Sequence, residues 1–473
     1  MKKVYIQTRT NKQWLLELTN GNITDFHMQE KGQVQVGDMY SAVIKQVDHR
    51  LKACFIDYGG EDHGYLPFHQ LKNQSEAKQG NRVLLQVNRL ATKGKKVGFT
   101  QLIQFKNDHF VYMPFEPGLH YSTKMDKNEH PDLVQFVNNQ TQDSEGLIVR
   151  TKAFHVDLTF LQSELSSLKA RYQNMVKMHE MNMVRKLDQS TSLFSRYLQR
   201  CALSSLESVV CDDLNYMQQL KMEYIDLKDL LIYDRNFYLR KPYSNQLLKE
   251  HFTKREVHLS SGASVTVDQT EALFVLDVNM NKYRGNLDKD RTAIDINKQA
   301  AIACAEQIKM RQLSGIIMID FINMKDKTAQ KEIVDVLNEH LQVDPISYKI
   351  LGFNELGIMQ LTRKRVHKTS YDFFGVKSNL IETDTYYRDW LEEELLQYQS
   401  MRVDTVHLQV EHDQLQKWKE VVKSFHEEHQ FTFSLYISVG EDLQEVFQTY
   451  KIGDEAWLLK DNKAPHKYID KLF

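Results

Sequence analysis

Leu273-Phe-Val-Leu-Asp277-Val-Asn279 and Gly315-Ile-Ile-Met-Ile-Asp320-Phe-Ile-Asn-Met324 are two apolar runs, each broken by one aspartate. Their composition predicts buried strands, and a bare carboxylate in such a run is costly unless it is paired or holds a metal. The segment between them reads as a helix. It has a capping-box-like start at Thr292-Ala-Ile-Asp295, a small-residue face at Ala300, Ala301, Cys304, Ile308 and Met310, and Gly315 at its exit. A second helix is expected over about Ala329–Leu341. Strand, helix, strand, helix predicts a parallel α/β layer. Side chains alternate across a strand, so Asp277 and Asn279 share a face. Neighbouring strands lie about 4.8 Å apart, close enough for Asp277 and Asp320 to share a hard divalent cation such as magnesium. That arrangement points toward phosphoryl-transfer chemistry. The competing reading makes both aspartates loop caps at strand ends.

Around this centre, 473 residues are too many for one ordinary core, so several domains are expected. The hydrophobic and charged fractions, 41% and 26%, fit a soluble globular protein rather than a disordered or fibrous one. No apolar run is long enough to span a membrane. Gln7, Arg9, Asn11 and Lys12 interrupt any signal-peptide core, so the N-terminus reads as a strand and the chain as cytoplasmic. Cys54, Cys201, Cys211 and Cys304 are scattered, with no CxxC pair, which fits reduced thiols and offers no zinc or disulfide framework. A net charge of −2 confines any polyanion site to a local patch.

Short strands with a turn at Asn20-Gly21 are expected up to about Gly37, followed by an all-β stretch to Leu102 with strands near Tyr40–Val47, Ala53–Tyr58, Val83–Val87 and Val97–Leu102. A five-strand barrel of the OB type fits that length. Phe55 and Tyr65 beside turn glycines, with Lys95 in a basic loop, have the composition of a single-strand nucleic-acid surface; equally, the two rings could fill the barrel. Helical periodicity dominates from Leu161 to about Leu214, with Phe160, Leu161, Leu165 and Leu168 on one apolar stripe. After about Asn379 the pattern is that of a small separate α+β domain, with helices near Tyr387–Tyr398 and Gln414–His429 and strands near Val403–Val410 and Phe431–Val439.

The two aspartate runs, together with Leu356-Gly-Ile-Met-Gln-Leu-Thr-Arg363-Lys-Arg365, resemble the catalytic signature of the RNase E/G endoribonucleases. The resemblance is strongest over Glu256–Arg365. It implies a multidomain α/β chain. An RNase H-like fold (1–36 and 190–252) would be split around an OB-fold RNA-binding domain (37–102) and a 5′-phosphate sensor (103–189). A DNase I-like catalytic subdomain (253–373), a linker (374–385) and a small α+β C-terminal domain (386–473) would follow. It further implies that Asp277 and Asp320 bind magnesium, that Asn279 supports Asp277, and that Phe55, Tyr65 and Lys95 contact RNA. Val111, Arg150 and Thr151 match the pocket that senses a 5′-monophosphate. Arg363 and Arg365 would hold the RNA backbone; on charge alone they make a solvated basic loop.

The implied activity is magnesium-dependent cleavage of single-stranded RNA, in rRNA processing or mRNA decay. The alternative is a non-catalytic RNA-binding or ribosome-assembly factor on the same scaffold. A third reading, an ATP-binding RNase H-like fold, lacks a Walker-type loop. Several positions depart from the family pattern. The zinc-link cysteines are missing, since the region reads Val366-His-Lys-Thr-Ser-Tyr-Asp-Phe-Phe, so no structural zinc is expected and a homodimer or higher oligomer would need another contact. Met280, Asn281, Asn323, Gln360 and Asn107 also replace residues usual in the family.

Overall fold

The computed structural model describes residues 1–60, 62–91, 95–122, 129–142, 144–181, 184–188, 192–198, 201–237, 243, 245–280, 289–324, 326–375, 384–440, 443, 446–453 and 469–473. The chain forms two compact units. One comprises Met1–Lys31, Arg200–Lys364 and Lys368–Phe473, the other Gly32–Gln199 and Arg365–His367.

Strands β1 (Lys2–Gln7), β2 (Lys12–Thr19) and β3 (Asn22–Glu30) open the first unit as an antiparallel meander. Asn20 and Gly21 both take positive φ, +52° and +81°, as the expected tight hairpin requires.

The second unit starts with β4 (Met39–Asp48), β5 (Ala53–Asp57), β6 (Gly64–Pro67), β7 (Arg82–Arg89) and β8 (Gly98–Thr100). β4 pairs with both β5 and β7, which closes these five strands into a small barrel. Ile44, Cys54, Ile56, Leu66, Leu85 and Phe99 fill it. Gly64 is needed here, because a Cβ at that position would lie 2.3 Å from the buried Phe99 ring. Next come β9 (Phe105–Lys106), β10 (Phe110–Met113), β11 (Gly118–Tyr121), α1 (Pro131–Gln140) and β12 (Gly146–Val149), whose strands run in the order β11-β12-β10-β9. Helix α2 (Leu158–Glu180), capped by Asp157, packs Leu161, Leu165 and Leu168 with Phe110, Leu147 and Val149. Phe160 departs from the expected stripe. It is 49% exposed, and its ring stands edge-on to His109 instead. The helical stretch is also broken by a short strand, β13 (Arg185–Asp188), which pairs with β4, and is followed by α3 (Leu193–Leu198).

The chain re-enters the first unit at β14 (Leu206–Cys211), a β-branched run inside the stretch expected to be helical. Helix α4 (Leu214–Glu223) and β15 (Leu231–Tyr233) follow. β1, β14 and β15 are mutually parallel, giving the sheet order β15-β14-β1-β2-β3.

After α5 (Asn245–Thr253), a third layer is built from β16 (Glu256–His258), β17 (Ser264–Gln269), β18 (Leu273–Asn279), α6 (Lys289–Met310), β19 (Gly315–Asp320), α7 (Lys327–Leu341), β20 (Tyr348–Phe353) and β21 (Ile358–Arg363). The strand order is β16-β17-β18-β19-β21-β20, and only β18–β19 is parallel. The aspartate strands therefore form one βαβ unit inside a mixed sheet, not a parallel layer. Thr292 lies within α6, not at its start. The left-handed residue that ends α6 is Gln312, at φ +54°, ahead of Gly315. One face of the sheet packs Phe274, Leu276, Ile317, Ile319, Met359 and Leu361 against α6 and α7. On the other face the side chains of β18 are half-buried.

Helices α8 (Ser370–Phe373), α9 (Asp384–Met401) and α10 (Leu415–His429), with strands β22 (Thr405–Val410), β23 (Ser434–Val439), β24 (Phe447–Gly453) and β25 (Ile469–Lys471), complete the unit. The sheet order is β24-β22-β23-β25. The expected separate C-terminal domain shares one apolar core with the N-terminal meander, in which Trp14, Leu16, Phe26 and Met28 join Phe252, Phe373, Leu391, Leu395, Leu408, Trp418 and Leu435.

Arg363 takes a place that charge patterning did not foresee. On β21 it points the same way as Met359 and Leu361, and its side chain is 1% exposed. Its Nε donates to Asp344 Oδ2 at 2.7 Å, Nη1 to Leu313 O at 3.0 Å and Nη2 to Gln312 Oε1 at 3.2 Å. The guanidinium lies inside the fold, with three of its five N–H donors committed to these partners.

Two outcomes follow from this packing. Gly64→Ala should loosen the barrel by about 1–3 kcal/mol, seen as faster hydrogen exchange at the β5 and β6 amides; unchanged protection contradicts the close approach. Arg363→Ala and Asp344→Ala should each destabilise the first unit by about 3–5 kcal/mol, as loss of one partner of a buried ion pair does, while the double variant loses less than the sum. A thermal midpoint left in place by Arg363→Ala would return this residue to the surface cations.

Candidate active site

The register of β18 and β19 sets Asp277 directly beside Asp320. The burial pattern of β18 alternates strictly, with Phe274, Leu276 and Val278 inward and Asp277 and Asn279 toward the other face. Asp320 ends β19 and is exposed. Asn279 Nδ2 donates to Asp277 Oδ2 at 2.9 Å and to Thr266 Oγ1 at 3.4 Å; Thr266 lies opposite Asp277 on β17. The amide thus fixes one carboxylate oxygen. Among the described residues, neither aspartate has an ion-pair partner.

Two adjacent carboxylates with no ion-pair partner among the described residues, one of them exposed, match what magnesium accepts: one or two protein oxygens, with waters filling the remaining positions. The donor set therefore fits that ion. Residues 281–288, which follow Asn279 and include the replaced Asn281, lie outside the described residues.

Sequence reasoning missed three supporting groups. Asn297 of α6 is fully buried and clamps the loop after Asp320, donating to Ile322 O at 2.8 Å and accepting from Ile322 N at 3.0 Å. Arg255 binds Asp268 through two bonds of 2.7 and 2.9 Å, and this partner holds the Asp268 carboxyl below its usual range. Asp268, and more weakly Asp277, raise the pKa of the exposed Arg255 guanidinium. The Arg255–Asp268 pair was unreadable before the pairing of β17 was known; the Asn297 clamp joins two elements 25 residues apart.

In the barrel, Phe55 and Tyr65 are direct cross-strand partners, with ring centroids 6.2 Å apart in an edge-to-face arrangement. Both are only half-buried and neither belongs to the barrel core, so they do not fill it. Lys95 is exposed. Nearby Asp57 is held below its normal pKa by the Gly59 N–H and Lys45, 3.1 Å away. Arg365 is exposed, in contrast to Arg363.

Val111 pairs with Ile148 across β10 and β12, and Arg150 directly follows β12. The Arg150 backbone N–H donates to His109 O at 2.9 Å, and its exposed guanidinium donates through Nη1 to Asn107 O at 2.7 Å. Asn107 Oδ1 in turn accepts from His109 N and Phe110 N. This asparagine organises the turn that buttresses Arg150. Thr151 Oγ1 lies 2.9 Å from Ser122 Oγ. One guanidinium and two hydroxyls thus project from the same sheet end.

A family model described as the ribonuclease E/G family matches residues 105–366. Ribonuclease E of Haemophilus influenzae is 25% identical over 394 residues, covering 77% of this chain and 42% of the relative. Ribonuclease E of Escherichia coli K12 is 24% identical over 394 residues, covering 77% and 37%. Ribonuclease G of Escherichia coli K12 is 25% identical over 380 residues, covering 74% and 77%. The chain thus matches about two fifths of the length of these ribonuclease E relatives. With more than half its residues under the family model, the chain belongs to the ribonuclease E/G family.

Proposed function

We propose that the chain is a magnesium-dependent endoribonuclease that cuts single-stranded RNA and is stimulated by a 5′-monophosphate. The observation that carries this reading is the in-register Asp277–Asp320 pair, with Asn279 bonded to Asp277 and no ion-pair partner for either aspartate among the described residues. Family membership and the ribonuclease names of its relatives point the same way.

Magnesium, when bound, supplies an acidified water and positive charge for the phosphoryl oxygens. Asp277 and Asp320 provide its protein oxygens, and Asn279 keeps Asp277 from rotating away. Asn297 holds the chain just beyond Asp320. Phe55 and Tyr65 offer stacking faces worth roughly 1–3 kcal/mol per base, and Lys95 and Arg365 offer exposed charge for phosphates. Attack in line by water leaves a 5′-phosphate on one product and a 3′-hydroxyl on the other. Arg150, with the Thr151 and Ser122 hydroxyls, suits a terminal phosphate, which takes charge-assisted bonds from such donors. Ribosomal precursors and messengers are both substrates of this chemical class.

Asp277→Asn should reduce magnesium-dependent cleavage of a 5′-monophosphorylated single-stranded RNA by at least about a hundredfold, on the scale of losing one strong electrostatic contact in a transition state. Equal cleavage by variant and native protein removes the enzyme reading and leaves the non-catalytic RNA-binding factor. Arg150→Ala should lower the ratio of cleavage rates for 5′-monophosphate over 5′-hydroxyl RNA while sparing the rate on 5′-hydroxyl substrate. An unchanged ratio removes Arg150 from the sensor.

A further inference from the structure

Helices α9 and α10 bring three ligand-type side chains together away from the aspartate pair. Glu392 of α9 and Glu428 and His429 of α10 each offer one ligand atom, and the three atoms lie within 4.8 Å of one another. His429 Nε2 is 2.7 Å from Glu392 Oε1, and these side chains are only 4% and 2% exposed. Glu428 is 43% exposed and pairs with Lys31 at 2.6 Å. Glu428 and His429 also line a cleft of about 490 Å³ whose walls include Arg9, Gln13, Lys31 and Arg235. The triad is closed on the Glu392 side and open on the cleft side.

A further buried carboxylate lies behind the triad. Asp389 lies one turn before Glu392, and its buried carboxylate oxygens accept no hydrogen bond. Its nearest cation, Lys12, stands 3.4 Å away and is shared with Glu30 at 3.1 Å. Burial pushes Asp389 up to about 7 against the pull of Lys12, with the Glu392 and Glu30 charges adding to the rise. Glu30 also binds Lys368 at 3.0 Å.

We propose that Glu392, Glu428 and His429 form a site for a first-row divalent cation of the zinc class, with its open coordination position toward the cleft. An imidazole with two carboxylates suits zinc or cobalt, whereas magnesium keeps to oxygen ligands. Tetrahedral ligands about 2.0–2.2 Å from one ion stand roughly 3.3–3.6 Å apart, so the His429–Glu392 pair, now at 2.7 Å, has to open and the wider separations, up to 4.8 Å, have to close by about 1 Å. Lys31 is the competing cation, and its half-exposed side chain is free to swing out. A bound ion would cross-link α9 to α10. The missing cysteines have no bearing on such a site, and it stands or falls independently of the nuclease reading.

The test is titration of the full chain with Zn²⁺ and Co²⁺, counting bound ions and recording the visible absorption of the cobalt form. Native protein is compared with Glu428→Gln, His429→Gln and Lys31→Ala. Glu428 and Lys31 are surface residues, so two of the three variants keep the fold. Glu428→Gln and His429→Gln should bind one ion fewer, or bind it at least about tenfold more weakly, a loss that even outer-shell changes produce. Both should also lose the bands of an imidazole-bearing, low-coordinate cobalt centre. Lys31→Ala should bind more tightly, because its competitor is gone. Equal ion counts and spectra in native protein and Glu428→Gln, or no tightening in Lys31→Ala, would reduce the cluster to an ion-pair network closed by Lys31.

Discussion

Because side chains alternate along a strand, the pairing of β18 with β19 fixes both what these strands bury and what they present. Phe274, Leu276, Ile317 and Ile319 face α6 and α7, which leaves Asp277, Asn279 and Asp320 on the far side. A slip of one residue would drive the carboxylates into the helices and expose the isoleucines. The apolar contacts that stabilise the sheet are thus the same contacts that hold the two carboxylates in line. β17 adds Thr266 to the support of Asn279, and α6 adds Asn297 behind Asp320. The placement of the two carboxylates thus follows from packing on the opposite face, and a few hydrogen bonds, from Asn279 and Asn297, add to it.

Much of that was legible in the sequence. Period-two alternation placed Asp277 and Asn279 together, and two apolar runs flanking a helical segment gave the βαβ unit. The rest depends on partners far away in the chain. Arg363 sits in a basic triplet, and only its register beside Met359 and Leu361, with Asp344 opposite, shows that it is internal. Phe160 fits a helical stripe by spacing but lies at the first turn of α2, outside the packed face. β13 is four residues long and polar, too short to oppose the helical period around it. His429 and Glu392 meet only because two helices cross.

Charge is handled in two ways here. Arg311 and Arg363 are buried, but each is bound by carbonyls and neutral oxygens, and Arg363 by a carboxylate as well. Such guanidiniums act as struts between elements. Arg311 ties the end of α6 to Lys254 O and to Tyr371 of α8. Arg150, Arg255 and Arg365 instead stay at the surface, where a phosphate can reach them. With a net charge of −2, this division matters more than the total number of basic residues.

The shared core of the N-terminal meander and the C-terminal sheet also sets an order in time. Trp14, Leu16, Phe26 and Met28 are synthesised first, but their partners Leu391, Leu395, Leu408 and Trp418 are made more than 350 residues later. Phe237 and Phe252, which pack on Trp14 and Phe26, are made earlier and cover part of that face. At translation rates of about 5–20 residues per second, the rest of the core follows roughly 20 seconds or longer after the first strands. The meander is thus completed in two stages during synthesis, the aromatic contacts first and the helices and strands beyond Asp384 last.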